Sequence, residues 1–305
     1  MRKGKHFNFS TIRRIPCPHC FSLCSGSLTH CPKCGEPLPQ SQNLKEQSPE
    51  IYNENFDEHD YLELLSEEIG SKIPLKPKIT SKETGYKVSN GKVVGISLPY
   101  CRLKTLPPLI DNLTSLKVLF LNQNQFKKFP TELMYMTSLE HLRLDHNQLK
   151  KIPSIINKIT TLKVLKLDSN EISDLSSIRS LENLEFLSLS RNDLEIVSNS
   201  IGFLSNLKEL NLRINNIRTI PDSISFLTNL KTLNLSDNEL EEIPESVGNL
   251  KNLEYLNLSN NRMKYIPKSL VNLKSLKKLI LKGNFWLKIP EPIKKLEQKG
   301  SKIVF

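Results

Sequence analysis

The chain contains no apolar run approaching the roughly 18 residues that a membrane span requires, so no membrane-inserted segment is expected. Its first residues, "MRKGKHFNFSTIRRIP", are basic but lack the apolar centre of a secretory signal, which points to a cytoplasmic protein. Disulfides are disfavoured in that compartment. Common catalytic signatures are missing as well: there is no G-x-x-x-x-G-K-[ST], no G-x-S-x-G and no H-E-x-x-H, and "KGN" at 282–284 is not a phosphate loop. His141, Asp145 and His146 fall close together, but no other residue supports a reaction there, and they read as surface residues. A non-enzymatic protein with no small-molecule substrate is expected.

What the chain has in place of these motifs is a period. Segments starting at Val93, Leu116, Leu139, Leu162, Leu184, Leu207, Leu230, Leu253 and Leu276 superpose on L-x-x-L-x-L-x-x-N-x-L-x-x-I-P-x-x-I-x-x-L, 23 residues apart except for one step of 22. The ninth position is Cys101 in the first unit and asparagine in the other eight, and those side chains can bond the backbone of neighbouring turns. Cys101 fits the column as a short, weak donor. The eleventh position is apolar throughout, from Leu103 to Trp286, and reads as core, the lone tryptophan included. Pro107, Pro130, Pro153, Pro221, Pro244, Pro267 and Pro290 impose extended or turn geometry after the fourteenth position, whereas Ser176 and Ser198 are expected to bend differently.

These residues resemble the leucine-rich repeat signature, in its intracellular, proline-containing 23-residue class, over about 213 of the 305 residues. The resemblance implies an α/β fold: a right-handed solenoid in which each of about nine repeats gives one short strand to a concave parallel β-sheet. It also implies a scaffold or signalling role, with a small GTPase or another signalling protein as partner. The repeat period supports the same architecture, because one repeat cannot bury its leucines alone and nine stacked repeats can.

The remainder divides into a basic tail (1–14), a cysteine module (15–39), a polar tether (40–56) and a segment reading as an N-terminal cap (57–92), ahead of repeats and a C-terminal cap (93–305). In the cap segment, Tyr61, Leu62, Leu64, Leu65 and Ile69 form a helical stripe, and Asn90-Gly91 between alternating apolar residues signals a hairpin. Pro292 to Lys299 is expected to be a final helix, and "KIVF" an edge segment.

Cys17, Cys20, Cys31 and Cys34 form C-x2-C-x10-C-x2-C, a spacing that lets two tight turns converge on one tetrahedral ion, with zinc as the leading metal. "CPHC" and "CPKCG" resemble the knuckles of zinc-ribbon or rubredoxin-type proteins, with Phe21 standing where the family has glycine. Iron suits the same ligands. Cys24 reads as a small buried residue, and His19 and His30 as bystanders.

Binding is expected on the sheet's concave face, where positions three, five, seven and eight place Phe120, His141, Arg143, Lys166, Phe186, Arg191, Arg213 and Tyr255. Aromatic and arginine residues dominate interface hot spots, although strand propensity alone also enriches aromatics. A sheet about 40 Å wide, from strand spacings of about 4.8 Å, suits a protein better than a metabolite. The alternative is a nucleic-acid-binding regulator acting through the zinc ribbon and the basic arm, weakened by the scarcity of aromatics among those charges. Nine lysines between Lys274 and the C-terminus, against Glu291 and Glu297, read as a solubilising end, with attraction of phosphates or an acidic partner as the other reading.

Overall fold

The computed structural model describes residues 14–16, 23–25, 58–106, 110, 113–298 and 300–305. Two compact units are present, Met1–Phe56 and Asp57–Phe305. In the first, strands β1 (Arg14–Pro16) and β2 (Leu23–Ser25) pair antiparallel, with Ile15 opposite Cys24 and Pro16 opposite Leu23. Cys17, Cys20, Cys31 and Cys34 lie outside the described residues, as do His19, Phe21 and His30.

The second unit opens with helix α1 (Glu58–Glu68), which buries Tyr61, Leu62 and Leu65. A hairpin of β3 (Gly85–Ser89) and β4 (Lys92–Ser97) follows, and its turn has left-handed backbone at both Asn90 and Gly91, with φ of 51° and 73°. That geometry matches the right-handed twist of the flanking strands.

From there the chain adds one three-residue strand per repeat: β5 (Val118–Phe120), β6 (His141–Arg143), β7 (Val164–Lys166), β8 (Phe186–Ser188), β9 (Glu209–Asn211), β10 (Thr232–Asn234), β11 (Tyr255–Asn257) and β12 (Lys278–Ile280). Helix α2 (Glu291–Gln298) and strand β13 (Lys302–Val304) end the chain. The 11-stranded sheet runs in order from β13 to β3, and every neighbouring pair except β3–β4 is parallel. Among the described residues, no helix is long and apolar enough to cross a membrane.

The strands are short because only the middle residue of each has to face inward. Leu119, Leu142, Leu165, Leu187, Leu210, Leu233, Leu256 and Leu279 stand in register and are fully buried, flanked by the leucines at positions one and six. Each such side chain contributes about 2 kcal/mol of burial. A shift by one residue would turn this whole column to solvent, which fixes the register.

On the opposite side, five-residue 3-10 turns begin after Pro130, Pro153, Pro221, Pro244 and Pro267, each with extended backbone such as φ −74° and ψ 153° at Pro221. Ser198 adopts the same geometry (φ −63°, ψ 146°) and its side chain accepts from the Ser200 N–H, so the expectation of a different bend there is corrected. A hydroxyl that caps the turn replaces a ring that presets φ. The 22-residue repeat does depart: its 3-10 turn is only Ser176–Ile178, and Leu175 ahead of it has φ −114° and ψ 9°.

Charges at position two reinforce the register. Glu140 sits between Lys117 (3.2 Å) and Lys163 (2.8 Å), Lys208 pairs with Glu185 (2.7 Å), and Lys277 pairs with Glu254. Hydrogen bonds from Lys163 and Lys117 hold the Glu140 carboxyl below the usual carboxylate range, and Lys208 does the same for Glu185. A lowered folded value gives stability that is present above the unfolded value, about 4.3 for glutamate, and lost as pH falls through the folded value. These pairs are exposed, so the slope is shallow. The melting temperature is therefore expected to drop modestly from pH 7 to pH 3, and the drop should shrink in 1 M NaCl. A drop indifferent to salt would assign it to other groups.

Candidate functional site

The face of the sheet turned away from the core carries positions three and five, which are half-exposed except for the buried Ser188 and the exposed Glu209, while position four is buried. Strand register brings them into two continuous rows. Val118, His141, Val164, Phe186, Glu209, Thr232, Tyr255 and Lys278 form one, and Phe120, Arg143, Lys166, Ser188, Asn211, Asn234, Asn257 and Ile280 form the other.

Cation–ring pairs link neighbouring strands, one diagonal between the rows and one along the first row. The Lys166 ammonium lies 4.8 Å from the Phe186 ring centre, and Lys278 lies 5.7 Å from that of Tyr255. Each cation is thereby held over an aromatic face. The middle of the face is amide-rich, and Asn211 donates to the Ser188 hydroxyl at 3.0 Å. Asp168 accepts from the Ser190 N–H (2.7 Å) and from the Ser188 hydroxyl. Arg213 is exposed and donates to Asp237 at 2.8 Å, which also accepts from Asn260 at 2.8 Å.

The N-terminal end of this face is not open. The segment 79–84 crosses it: Thr80 O accepts from the Ser97 hydroxyl at 2.7 Å, and Ser81 O accepts from the Asn122 amide at 3.0 Å. The Ser81 hydroxyl accepts from Arg143 at 2.6 Å. Gly95 permits the close approach, since a Cβ there would lie 2.9 Å from Ile79 Cγ1. Arg143 is further fixed by a two-pronged pair with Asp145 (2.9 and 3.1 Å) and lies 5.7 Å from the Phe120 ring centre. Arg143 and Phe120 thus form part of an internal clamp. Asp145 is taken up by the same pair, and among the described residues no cluster of His, Cys, Asp and Glu can hold a metal.

The strands end alike. Position eight has left-handed backbone in all nine repeats, at Tyr100, Gln123, His146, Ser169, Arg191, Ile214, Asp237, Asn260 and Gly283, with φ between 54° and 78°. Only the last is glycine, so sequence alone gave no sign of the turn. It is imposed from outside, because neighbouring N–H groups are pinned to the next repeat, as when Ile214 N donates to Ser236 O (3.0 Å) and Asn215 N to Asp237 O (3.3 Å). Arg191 is carried outward on this turn and is exposed.

The turn leads into the ninth-position asparagines. Each of the eight accepts from the eleventh-position N–H one repeat earlier and donates to two sixth-position carbonyls, all at 2.7–3.1 Å; for Asn215 these are Leu194 N, Leu189 O and Leu212 O. Cys101 makes only weak contacts, with Pro99 O (3.4 Å) and the Thr84 hydroxyl (3.8 Å), and burial pushes its thiol pKa up.

The assignment of Trp286 to the core is corrected. It is 67% exposed, and Phe285 beside it is 88% exposed. Met263, one repeat earlier, is held inward by its N–H bond to Asn284 (3.1 Å). No asparagine follows to hold Trp286. The chain instead turns so that Leu287 N donates to Asn284 O at 3.2 Å, and Leu287 packs against the core in its place.

Comparison with known proteins agrees with this geometry. The family described as leucine-rich repeat region matches residues 222–298, the leucine rich repeat family matches 95–149 and 197–240, and the two-copy leucine-rich repeats family matches 137–180. No curated protein matches the chain. Among solved structures, a leucine-rich repeat protein of Leptospira interrogans is 34% identical with a TM-score of 0.63, over 67% of this chain and 52% of that one. The ectodomain of the receptor kinase GASSHO1/SCHENGEN3 from Arabidopsis thaliana, in complex with CASPARIAN STRIP INTEGRITY FACTOR 2, is 29% identical with a TM-score of 0.58, over 70% of this chain and 30% of that one. An internalin of Listeria monocytogenes, at 23% identity and a TM-score of 0.61 over 69% and 60%, shares the fold. The chain spans about half the length of the Leptospira protein it matches. The stacked units within residues 95–298 are therefore leucine-rich repeats, and their parallel sheet is a leucine-rich repeat solenoid sheet.

Proposed function

We propose that this protein is a non-enzymatic cytoplasmic scaffold that grips a protein partner on the concave sheet face, between β7 and β12. One observation carries the reading: Phe186 and Tyr255 stand half-exposed on one continuous face, each with a lysine over its ring, and Arg191 and Arg213 reach outward beside them. Aromatic anchors ringed by polar groups are the usual composition of an interface centre. The similar receptor ectodomain from Arabidopsis is solved in complex with CASPARIAN STRIP INTEGRITY FACTOR 2, which fits a repeat unit serving as a docking platform. A small GTPase or another signalling protein is the partner class suggested by resemblance to the intracellular repeat class.

The clamp narrows the site. Phe120 and Arg143 belong to the covered end, with His141 beside them, so the binding weight moves to Lys166, Phe186, Arg191, Arg213 and Tyr255. The combined variant Phe186→Ala, Arg213→Ala, Tyr255→Ala is expected to weaken capture of the native partner at least a hundredfold, because two hot-spot losses of about 2 kcal/mol each already multiply to that. Its circular dichroism spectrum should be unchanged. Full retention of binding would place the site elsewhere.

The four cysteines Cys17, Cys20, Cys31 and Cys34 are proposed to hold one zinc ion that folds the N-terminal module. The pairing of Pro16 with Leu23 supports this, since the connection between the two strands carries the first Cys-x-x-Cys pair.

A further inference from the structure

The exposed aromatics at the C-terminal end are not part of the docking face described above. Phe285 and Trp286 meet edge to face, with ring centres 6.4 Å apart and planes at 82°. Tyr265, 58% exposed, is bridged in parallel to Lys288, whose N–H donates to Lys264 O at 3.1 Å, so Tyr265 stands beside Lys288, which follows Trp286 by two residues. Phe285 and Trp286 together in water, with Tyr265 exposed on the repeat before, are an unusual exposure of large rings.

The stretch of sequence that carries the patch is basic, although Lys277 pairs with Glu254 and Lys278 lies over Tyr255 on the sheet face. Residues 262–305 hold twelve lysines and arginines against two glutamates, a net +10 out of the chain's formal +11. The acidic groups nearest the patch are already engaged, Glu239 by Arg218 (3.3 Å) and Arg262 (3.3 Å), and Glu241 by Lys264 (2.6 Å). Lys282 and Lys288 are exposed and form no ion pair among the described residues.

We infer that this corner docks peripherally on an anionic lipid bilayer, with Phe285 and Trp286 entering the headgroup region and the surrounding lysines facing the lipid phosphates and carboxylates. Eleven of the twelve cations are lysine, the residue depleted from protein-interface centres and less suited than arginine to two-pronged recognition of bases or phosphates. Lysine charge is suited instead to a diffuse negative surface, and tryptophan settles at the bilayer–water boundary. Neither component suffices alone, since stable surface attachment takes an apolar and an electrostatic contribution together. The corner is separate from the row holding Phe186, so a membrane-bound molecule keeps its sheet face available.

Trp286 is the only tryptophan in the chain, which makes it a direct reporter. The full chain is titrated with vesicles of phosphatidylcholine alone and of phosphatidylcholine with 30% phosphatidylserine in 0.1 M NaCl. Expected is a blue shift of the tryptophan emission, with co-sedimentation, for the anionic vesicles only, and its loss in 0.5 M NaCl. Phe285→Ala with Trp286→Ala should weaken co-sedimentation at least tenfold. Lys282→Gln with Lys288→Gln should weaken it about 25-fold, from roughly fivefold per lysine. Both variants alter exposed side chains, and an unchanged circular dichroism spectrum controls for folding. No blue shift with anionic vesicles at low salt would overturn the proposal. So would equal binding by the aromatic variant, a shift produced by a single-stranded oligonucleotide and not by vesicles, or a dimer in solution that Trp286→Ala dissociates.

Discussion

Replacing Asn215 by alanine is expected to destabilise the repeat unit by about 3–4 kcal/mol, read as a fall in the urea midpoint at unchanged slope. The side chain is buried and joins three backbone groups across two repeats. Those groups do not suffer equally. Leu189 O retains Asn192, and Leu212 O retains Asn238, so each carbonyl loses one of two donors. Among the described residues Leu194 N–H has no second acceptor, so it is left buried and unpaired, which accounts for most of the loss. Asn215→Asp tests the mechanism further. Its carboxylate can accept from Leu194 but faces two carbonyl oxygens, so at pH 7 it should be worse than alanine. Burial against those oxygens raises the folded pKa of the new group, and stability should recover as pH falls and a proton restores one donor. Cys101→Ala, at the same position of the first repeat, should cost under about 1 kcal/mol, because it removes only weak sulfur contacts. Equal effects at the two positions would show that the asparagine column is not what joins the repeats.

The second large effect concerns the proposed zinc site. The purified chain is expected to carry one zinc ion, removable by a strong chelator with loss of structure confined to the N-terminal unit. A module of about 25 residues has too small a core to fold by itself, and metal binding in such modules supplies about 10–16 kcal/mol. Cys34→Ser should reduce bound zinc below a tenth of an equivalent while the urea transition of the repeat unit stays in place. Metal analysis showing iron would keep the site and change the ion. Disulfides among Cys17, Cys20, Cys31 and Cys34 in the protein as isolated from the cell would remove both the zinc and the cytoplasmic assignment.

The sequence carried the repeat architecture in plain form, because burial and backbone satisfaction impose one residue type at fixed spacing. Leu119 and its in-register partners have to be apolar, and Asn124 and its column have to offer a donor and an acceptor on one short side chain. Features set by tertiary contact left no such trace. Position eight is left-handed in every repeat without demanding glycine, since hydrogen bonds to the next repeat hold Ile214 and Arg191 there. The clamp of Thr80 and Ser81 over Ser97, Asn122 and Arg143 comes from a non-periodic segment, and nothing in "ITSKETG" announces its partners. Trp286 obeyed the column rule but sat where the stack runs out, and the rule depends on a following repeat.

The central claim is that the sheet face between β7 and β12 is where a partner sits. A photo-crosslinking phenylalanine analogue placed at Glu209, exposed at the middle of that face, tests it in the native cell, with the same analogue at the exposed Asn249 on the 3-10 side as reference. A discrete adduct from position 209, absent from position 249 and abolished by Phe186→Ala with Tyr255→Ala, is the predicted result. An adduct of the same mass from position 249, with none from position 209, would contradict it.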